Sequence, residues 1–129
     1  MTAELTALTL AALLQALQFL AYSIAANRQV GPGYAMGPRD TPRTLTGMAG
    51  RLQRALNNHF EGLILFSIAT VVITLSDRST ALTEIAAWVY LLARILYVPA
   101  YLIGRGPWRS LIWMTGFGAT LLILISALR

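Results

Sequence analysis

The sequence predicts an all-α integral membrane protein, a four-transmembrane-helix bundle, and three observations carry the prediction. The 129 residues are 57% hydrophobic and only 12% charged, whereas a soluble domain carries about 25% charged residues. Mean hydropathy is +0.63. The apolar residues fall into long runs, of the order of the ~20 residues that cross a hydrocarbon core, separated by short polar or glycine- and proline-rich segments. So little polar surface cannot keep the chain in water, which excludes an ordinary soluble enzyme. The length sets one domain, residues 1–129, as the ceiling.

Span one covers residues 5–27 and contains no charge. A signal peptide would need a basic segment before a shorter apolar run; Glu4 stands there instead. Loop one follows, with Gly31, Pro32, Gly33, Gly37, Pro38, Pro42 and Gly47 breaking any periodicity. Span two covers residues 50–76. Its wholly apolar part begins only at Gly62, about 22 Å of helix, so it must recruit the polar stretch from Gly50. In the next turn Ser76, Asp77, Arg78, Ser79 and Thr80 supply hydroxyls, with Thr80 the expected N-cap of span three. Span three covers residues 81–103 and is interrupted by Arg94 and Pro99; the proline reads as a kink rather than a ligand site. Gly104, Arg105 and Gly106 make a tight turn, with Pro107 expected at the first helical position of span four. Span four covers residues 107–128 and is uncharged after Arg109.

All ten cations are arginine, against five acidic residues, for a net charge of +5. The arginines lie between apolar runs rather than on a solvated basic face, which argues against nucleic acid. With no cysteine there is no disulfide, iron–sulfur cluster or thiol nucleophile. A single histidine offers no metal site. Arg28, Arg39, Arg43, Arg51 and Arg54 flank loop one, and Arg105 and Arg109 flank loop three; the opposite side carries Arg78 and Arg129. The positive-inside rule therefore expects loops one and three in the cytoplasm and both termini outside, in the inner membrane if the source is bacterial.

Glu61 and Arg94 fall inside spans, where an unpaired charge costs roughly 2.5–3.5 kcal/mol. One reading is an ion pair locking spans two and three. Helical geometry favours another. At about 100° per residue, Arg51, Arg54, Asn58 and Glu61 share about 80° of arc, and Tyr90, Arg94, Tyr97 and Tyr101 share about 60°. Two such stripes on consecutive helices form the walls of one site. The positive excess, with Arg28 and Arg109 at the cytoplasmic helix ends, suits an anion bearing a carboxylate, which a planar guanidinium grips at two points. Other polar residues carry plainer readings. His59 is expected at the headgroup level; although His59-x-Glu61 matches half of a zinc deaminase motif, no cysteines follow. Trp88, Trp108 and Trp113 read as interface and packing residues. Arg39 and Arg43 read as solvated or headgroup-level charges.

Arg51-x-x-Arg54-Ala55-x-x-Asn58-x-x-Glu61, with Phe66 in the apolar run that follows, resembles the second-helix signature of the MAPEG family. These are membrane-associated proteins in eicosanoid and glutathione metabolism, including microsomal glutathione transferases, leukotriene C synthase and microsomal prostaglandin E synthase. Arg94-x-x-Tyr97-x-x-x-Tyr101 and Pro107-x-Arg109-Ser110 extend the resemblance to all four spans. It implies a homotrimer of four-helix subunits with glutathione at each subunit interface, near the cytosolic side. The implied glutathione-binding residues are Arg28, Arg51, Arg54, Asn58, Glu61, Arg94, Tyr97 and Tyr101. Arg109 matches the arginine that stabilises the glutathione thiolate, and Ser110 a serine that assists in one branch. A one-residue-shorter turn before span four, Tyr97 in place of a histidine, and the glycine- and proline-rich loop one set the chain apart from the eicosanoid branches.

The implied activity is that of a glutathione-dependent transferase or peroxidase acting on a lipophilic electrophile, with Arg109, Ser110 and Tyr101 catalytic. Glutathione would be a co-substrate, with no metal, and membrane lipids the surroundings. Two other readings remain at this point. A non-catalytic membrane protein could bind glutathione or a lipid anion with the same arginines. A small four-span transporter could use Glu61 to exchange protons for a cation, although the arginine excess opposes a cation.

Overall fold

The computed structural model describes residues 1–104 and 106–129; Arg105, counted above in loop three, lies outside them. Helix α1 spans Ala3–Val30. It starts where the Thr2 hydroxyl accepts the Leu5 N–H at 3.2 Å, with Glu4 in the first turn, where the helix dipole favours negative charge. It stops at Gly31, whose φ of +87° is a conformation reserved largely for glycine.

Loop one was expected to be irregular throughout, but Pro32–Met36 forms a short helix, α2. Pro32 at its start brings a φ already set for a helix and a missing N–H that no bond requires there. Helix α3 spans Gly47–Leu75, so span two begins a little before residue 50. Helix α4 spans Ala81–Ile103, as expected, and is opened by a capping box. The Thr83 N–H donates to the Thr80 hydroxyl at 3.3 Å and the Thr80 N–H to the Thr83 hydroxyl at 2.8 Å. It runs through Pro99 and ends at Gly104, in left-handed conformation. Helix α5 spans Trp108–Ala127. Pro107 is its N-cap rather than its first helical residue: the Pro107 carbonyl accepts the Leu111 N–H at 3.1 Å, the opening bond of the helix.

The four long helices, of 28, 29, 23 and 20 residues, are each long and apolar enough to cross a membrane. They run up and down in turn. At one end, the Arg51 guanidinium at the start of α3 donates to the Leu102 carbonyl at the end of α4, at 2.9 Å. At the other end, Arg78 in the α3–α4 turn donates to the Ala127 carbonyl at 3.2 Å. The interior is built from small residues, among them Ala7, Ala11, Ala69, Ala86, Ala87 and Ala119, around Phe66, Tyr90, Leu91, Ile73 and Ile123. In lipid there is no hydrophobic force between helices, so close approach over small side chains has to supply the packing. The Phe66 and Tyr90 rings stack with centroids 3.8 Å apart. Large apolar residues such as Leu13, Leu17, Ile64, Ile68, Leu92, Ile95, Met114 and Ile125 face outward. That arrangement suits hydrocarbon, not water.

One carboxylate ties the end formed by the N-terminus and the α3–α4 turn. Glu4 is fully buried, and its Oε1 accepts hydrogen bonds from Ser79 and Thr83, both at 2.6 Å. A hydrogen bond to a charged group contributes about 1.5–3 kcal/mol. Replacing Glu4 by alanine should therefore lower stability by at least about 1.5–3 kcal/mol, read as thermal unfolding in detergent micelles. Glu4→Gln, which keeps one acceptor, should fall between. A Glu4→Ala variant as stable as the native chain would show that the carboxylate holds nothing together.

Candidate functional site

The polar stripes of α3 and α4 meet at the loop-one end of the bundle. Asn58 and His59 on α3 reach Arg94 on α4. Arg94 donates from Nη1 to the Asn58 carboxamide oxygen at 2.9 Å and from Nε to His59 Nδ1 at 3.2 Å. Its guanidinium also lies 4.4 Å from the centre of the Tyr97 ring. These partners are neutral. Glu61 is exposed on the outer side of α3 and shares a cavity with Arg94 instead of taking its hydrogen bonds. The guanidinium is thus held by dipoles, with its charge left for another group.

His59 is the residue most misplaced by sequence reasoning. It was expected at the headgroup level, but it is fully buried between three helices. Arginine can only donate, so His59 Nδ1 must accept, and the ring proton sits on Nε2. That nitrogen donates to the Ala11 carbonyl of α1 at 2.9 Å. The chain of bonds Ala11–His59–Arg94 joins α1, α3 and α4. The signal available in the sequence was position: His59 adjoins Asn58 and lies five residues after Arg54, inside the same polar segment.

Closer to the end of the bundle, arginines gather on Tyr101. Arg54 donates from Nε to the Tyr101 hydroxyl at 3.0 Å. The Arg109 guanidinium, from the first turn of α5, lies 4.8 Å from the Tyr101 ring centre. The Tyr97 and Tyr101 rings are 5.8 Å apart. Asn58, Tyr97, Tyr101, Arg109, Ser110, Trp113 and Met114 line an open cavity of about 440 Å³. Gly104 lets the chain turn sharply here, in left-handed conformation beside the Arg51 guanidinium. A second cavity of about 170 Å³ extends along α5 between Glu61, Tyr90, Arg94, Trp113, Phe117 and Thr120. Asn58 and Trp113 belong to both. Of the eight buried side-chain atoms without a partner among the described residues, two, Arg94 Nη2 and the Tyr90 hydroxyl, belong to residues that line this second cavity. Such groups carry a desolvation cost unless a ligand or water meets them.

Of the residues singled out from sequence, Arg54, Asn58, Arg94, Tyr97, Tyr101, Arg109 and Ser110 converge on this region. Glu61 borders the smaller cavity. Arg51 lines neither cavity; its Nη1 donates to the Leu102 carbonyl at the rim. Arg28, in the last turn of α1, lines neither cavity. Trp113, read as an interface and packing residue, does pack, stacked on Phe117 at 5.1 Å, and also forms a wall of both cavities.

Comparison with known proteins adds one finding. The model of the MAPEG family matches residues 3–129, essentially the whole chain. No curated protein and no solved structure matches it.

The buried relay yields a test of its own. His59→Leu leaves Arg94 Nε without an acceptor, and a buried unpaired donor costs about 1–3 kcal/mol or more when charged. Thermal unfolding in detergent should show that loss, and His59→Gln, which can both donate and accept, should recover part of it. Equal stabilities for the leucine and glutamine variants would mean that packing, not hydrogen bonding, explains the histidine.

Proposed function

The chain belongs to the MAPEG family, and from that premise we propose that it is a glutathione-dependent membrane transferase with peroxidase chemistry as a variant outcome. The observation that carries this reading is that Arg54 and Arg109 meet Tyr101 and Arg94 meets Tyr97, two tyrosines that line one cavity together with Arg109. Glutathione has two carboxylates, an ammonium and a thiol. Arg54, Arg94 and Asn58 hold a carboxylate, and Glu61 faces the ammonium. Arg94 Nη2 and the Tyr90 hydroxyl are two unpartnered donors at the smaller cavity that a polar ligand satisfies. Arg28 and Arg51 complete the site across a subunit boundary in a homotrimer. Loop one and the α4–α5 turn face the cytoplasm, where glutathione is dissolved.

Arg109 activates the thiol. A free thiol with pKa about 8.5 is only a few per cent ionised at pH 7. Lowering that value by two units takes about 2.7 kcal/mol of preferential stabilisation of the thiolate. A guanidinium at about 4 Å supplies about that much or more at the effective dielectric of a partly dry site. Tyr101 and Ser110 donate hydroxyl hydrogen bonds to the sulfur. The S–H proton leaves to solvent, the thiolate attacks an electrophilic carbon, a C–S bond forms and the leaving group departs with its electron pair. With a lipid hydroperoxide the thiolate attacks the terminal oxygen, the O–O bond breaks and the alkoxide takes a proton. A second glutathione then reduces the sulfenic acid to a disulfide and water. Trp113 and Met114, on the outward side of α5, give the apolar substrate access from the bilayer.

The test is the ultraviolet thiolate signal on mixing detergent-purified protein with glutathione at pH 7. The native chain should show about three quarters of bound glutathione as thiolate, and Arg109→Ala only a few per cent, while equilibrium dialysis still detects binding. Binding without thiolate in the native chain would make it a non-catalytic glutathione protein. No binding would end the glutathione reading.

A further inference from the structure

The glycine- and proline-rich loop one has no part in the site above, yet it is folded and anchored. The Gln29 carboxamide at the end of α1 brackets Thr46, accepting its N–H at 2.8 Å and donating to its carbonyl at 3.1 Å. Tyr34 of α2 donates its hydroxyl to the Thr41 carbonyl at 2.7 Å and accepts the Arg43 N–H at 3.1 Å. Gly50 lets the loop return against α3, since a Cβ there would stand 2.9 Å from the Leu45 carbonyl oxygen. Both ends and the middle are therefore fixed.

What the fold of the loop encloses is a cavity of about 520 Å³ between α1, α2 and the start of α3. Its apolar walls include Phe19, Tyr22, Val30 and Met36, and its polar rim carries Arg39 and Arg43. Gln53, on its α3 wall, stands about 140° round that helix from Asn58, so this cavity and the Tyr101 cavity lie on different flanks of α3. The two guanidinium groups are positioned before any ligand arrives. Arg43 donates to the Val30 carbonyl at 2.7 Å and lies 4.3 Å over the Tyr34 ring. Arg39 donates from Nε and Nη2 to the Ala35 carbonyl at 2.9 and 2.5 Å. Among the described residues, these contacts use one edge of each fork and leave another edge for an anion. Phe19, on the flank of α1 that walls the cavity, is itself more than half exposed, and Leu17, Leu20 and Ile24 make up the outer face of the same helix beyond it. The chamber thus continues into the surface that meets hydrocarbon, with its cations at the level where the apolar helix ends.

We infer that loop one builds a binding site for an acidic membrane phospholipid. The headgroup phosphate sits between Arg39 and Arg43, and an acyl chain runs past Met36 and Tyr22 and out over Phe19. Two fixed guanidiniums match a phosphodiester in charge and in planar geometry, and basic pockets at the cytoplasmic ends of membrane helices select anionic headgroups. A zwitterionic phospholipid carries an ammonium that two arginines repel, and a free phosphate leaves the apolar chamber unfilled. This site is independent of the glutathione reading, because it shares no residue with the Tyr101 cavity.

The experiment is native mass spectrometry of the full chain in micelles, titrated with dioleoyl phosphatidylglycerol, dioleoyl phosphatidylcholine or inorganic phosphate. The native chain should prefer phosphatidylglycerol over phosphatidylcholine by about tenfold or more and should not lose it to millimolar phosphate. The double variant Arg39→Gln, Arg43→Gln should lose that preference. Because Arg43 also anchors the loop, Met36→Glu is the second variant: the side chain is 87% exposed, so the change costs no packing and puts a carboxylate at the cavity. It should also abolish the preference, whereas Arg129→Gln, which changes the net charge as much as Met36→Glu does but at the opposite end, should keep it. Equal retention of the two lipids by the native chain would overturn the proposal. So would an unchanged preference in both loop-one variants, or displacement by phosphate alone.

Discussion

A guanidinium inside a membrane span must find hydrogen-bond partners within the protein or water led in by it, because hydrocarbon offers none. Arg94 meets that demand with Asn58, His59 and the face of Tyr97, and much of the bundle follows from it. Asn58 and His59, neighbours about 100° apart on α3, have to flank the Arg94 guanidinium from that helix. His59 in turn is backed by the Ala11 carbonyl of α1, which places α1 against α3. The result is a cation fixed by neutral groups. A carboxylate partner would have neutralised it; dipoles leave its charge to act on whatever enters the neighbouring cavities.

The same economy is visible at both ends of the bundle. At the end formed by the N-terminus and the α3–α4 turn, the buried charge is negative, and the hydroxyls of Ser79 and Thr83 hold it. At the loop-one end the charges are positive, and carbonyl oxygens of loops and helix C-termini hold them: Leu102 for Arg51, Val30 for Arg43, Ala35 for Arg39. Helix C-termini leave carbonyls without intrahelical partners, and arginine is the side chain best shaped to use them. At that end arginine therefore serves as a helix cap, donating to carbonyls that the helices leave free.

Most of the polar cluster at the candidate site was readable from the chain as periodicity. Arg54 and Asn58 on one stripe, and Arg94, Tyr97 and Tyr101 on the other, meet as the arithmetic of about 100° per residue requires. Arg109 joins them because it lies in the first turn of α5, directly after the tight turn from α4. His59 was not readable in this way. Its role depends on the carbonyl of Ala11, 48 residues earlier, and a backbone acceptor on another helix leaves no mark in residue type. Loop one was not readable either, since glycine and proline announce a break in periodicity without saying what the broken segment encloses.

By itself, then, the sequence determined the all-α class, the four long apolar helices and the polar faces of α3 and α4, because helical period and apolar run length act on local strings of residues. It also determined the family, through motifs that are local strings as well. The tertiary structure decided who partners whom. It gave Arg94 neutral partners instead of Glu61, buried His59 among three helices and closed loop one over a chamber. Those outcomes depend on distances between residues far apart in the chain, and in a low-dielectric interior the nearest well-aligned dipole satisfies a charge, whatever its place in the sequence.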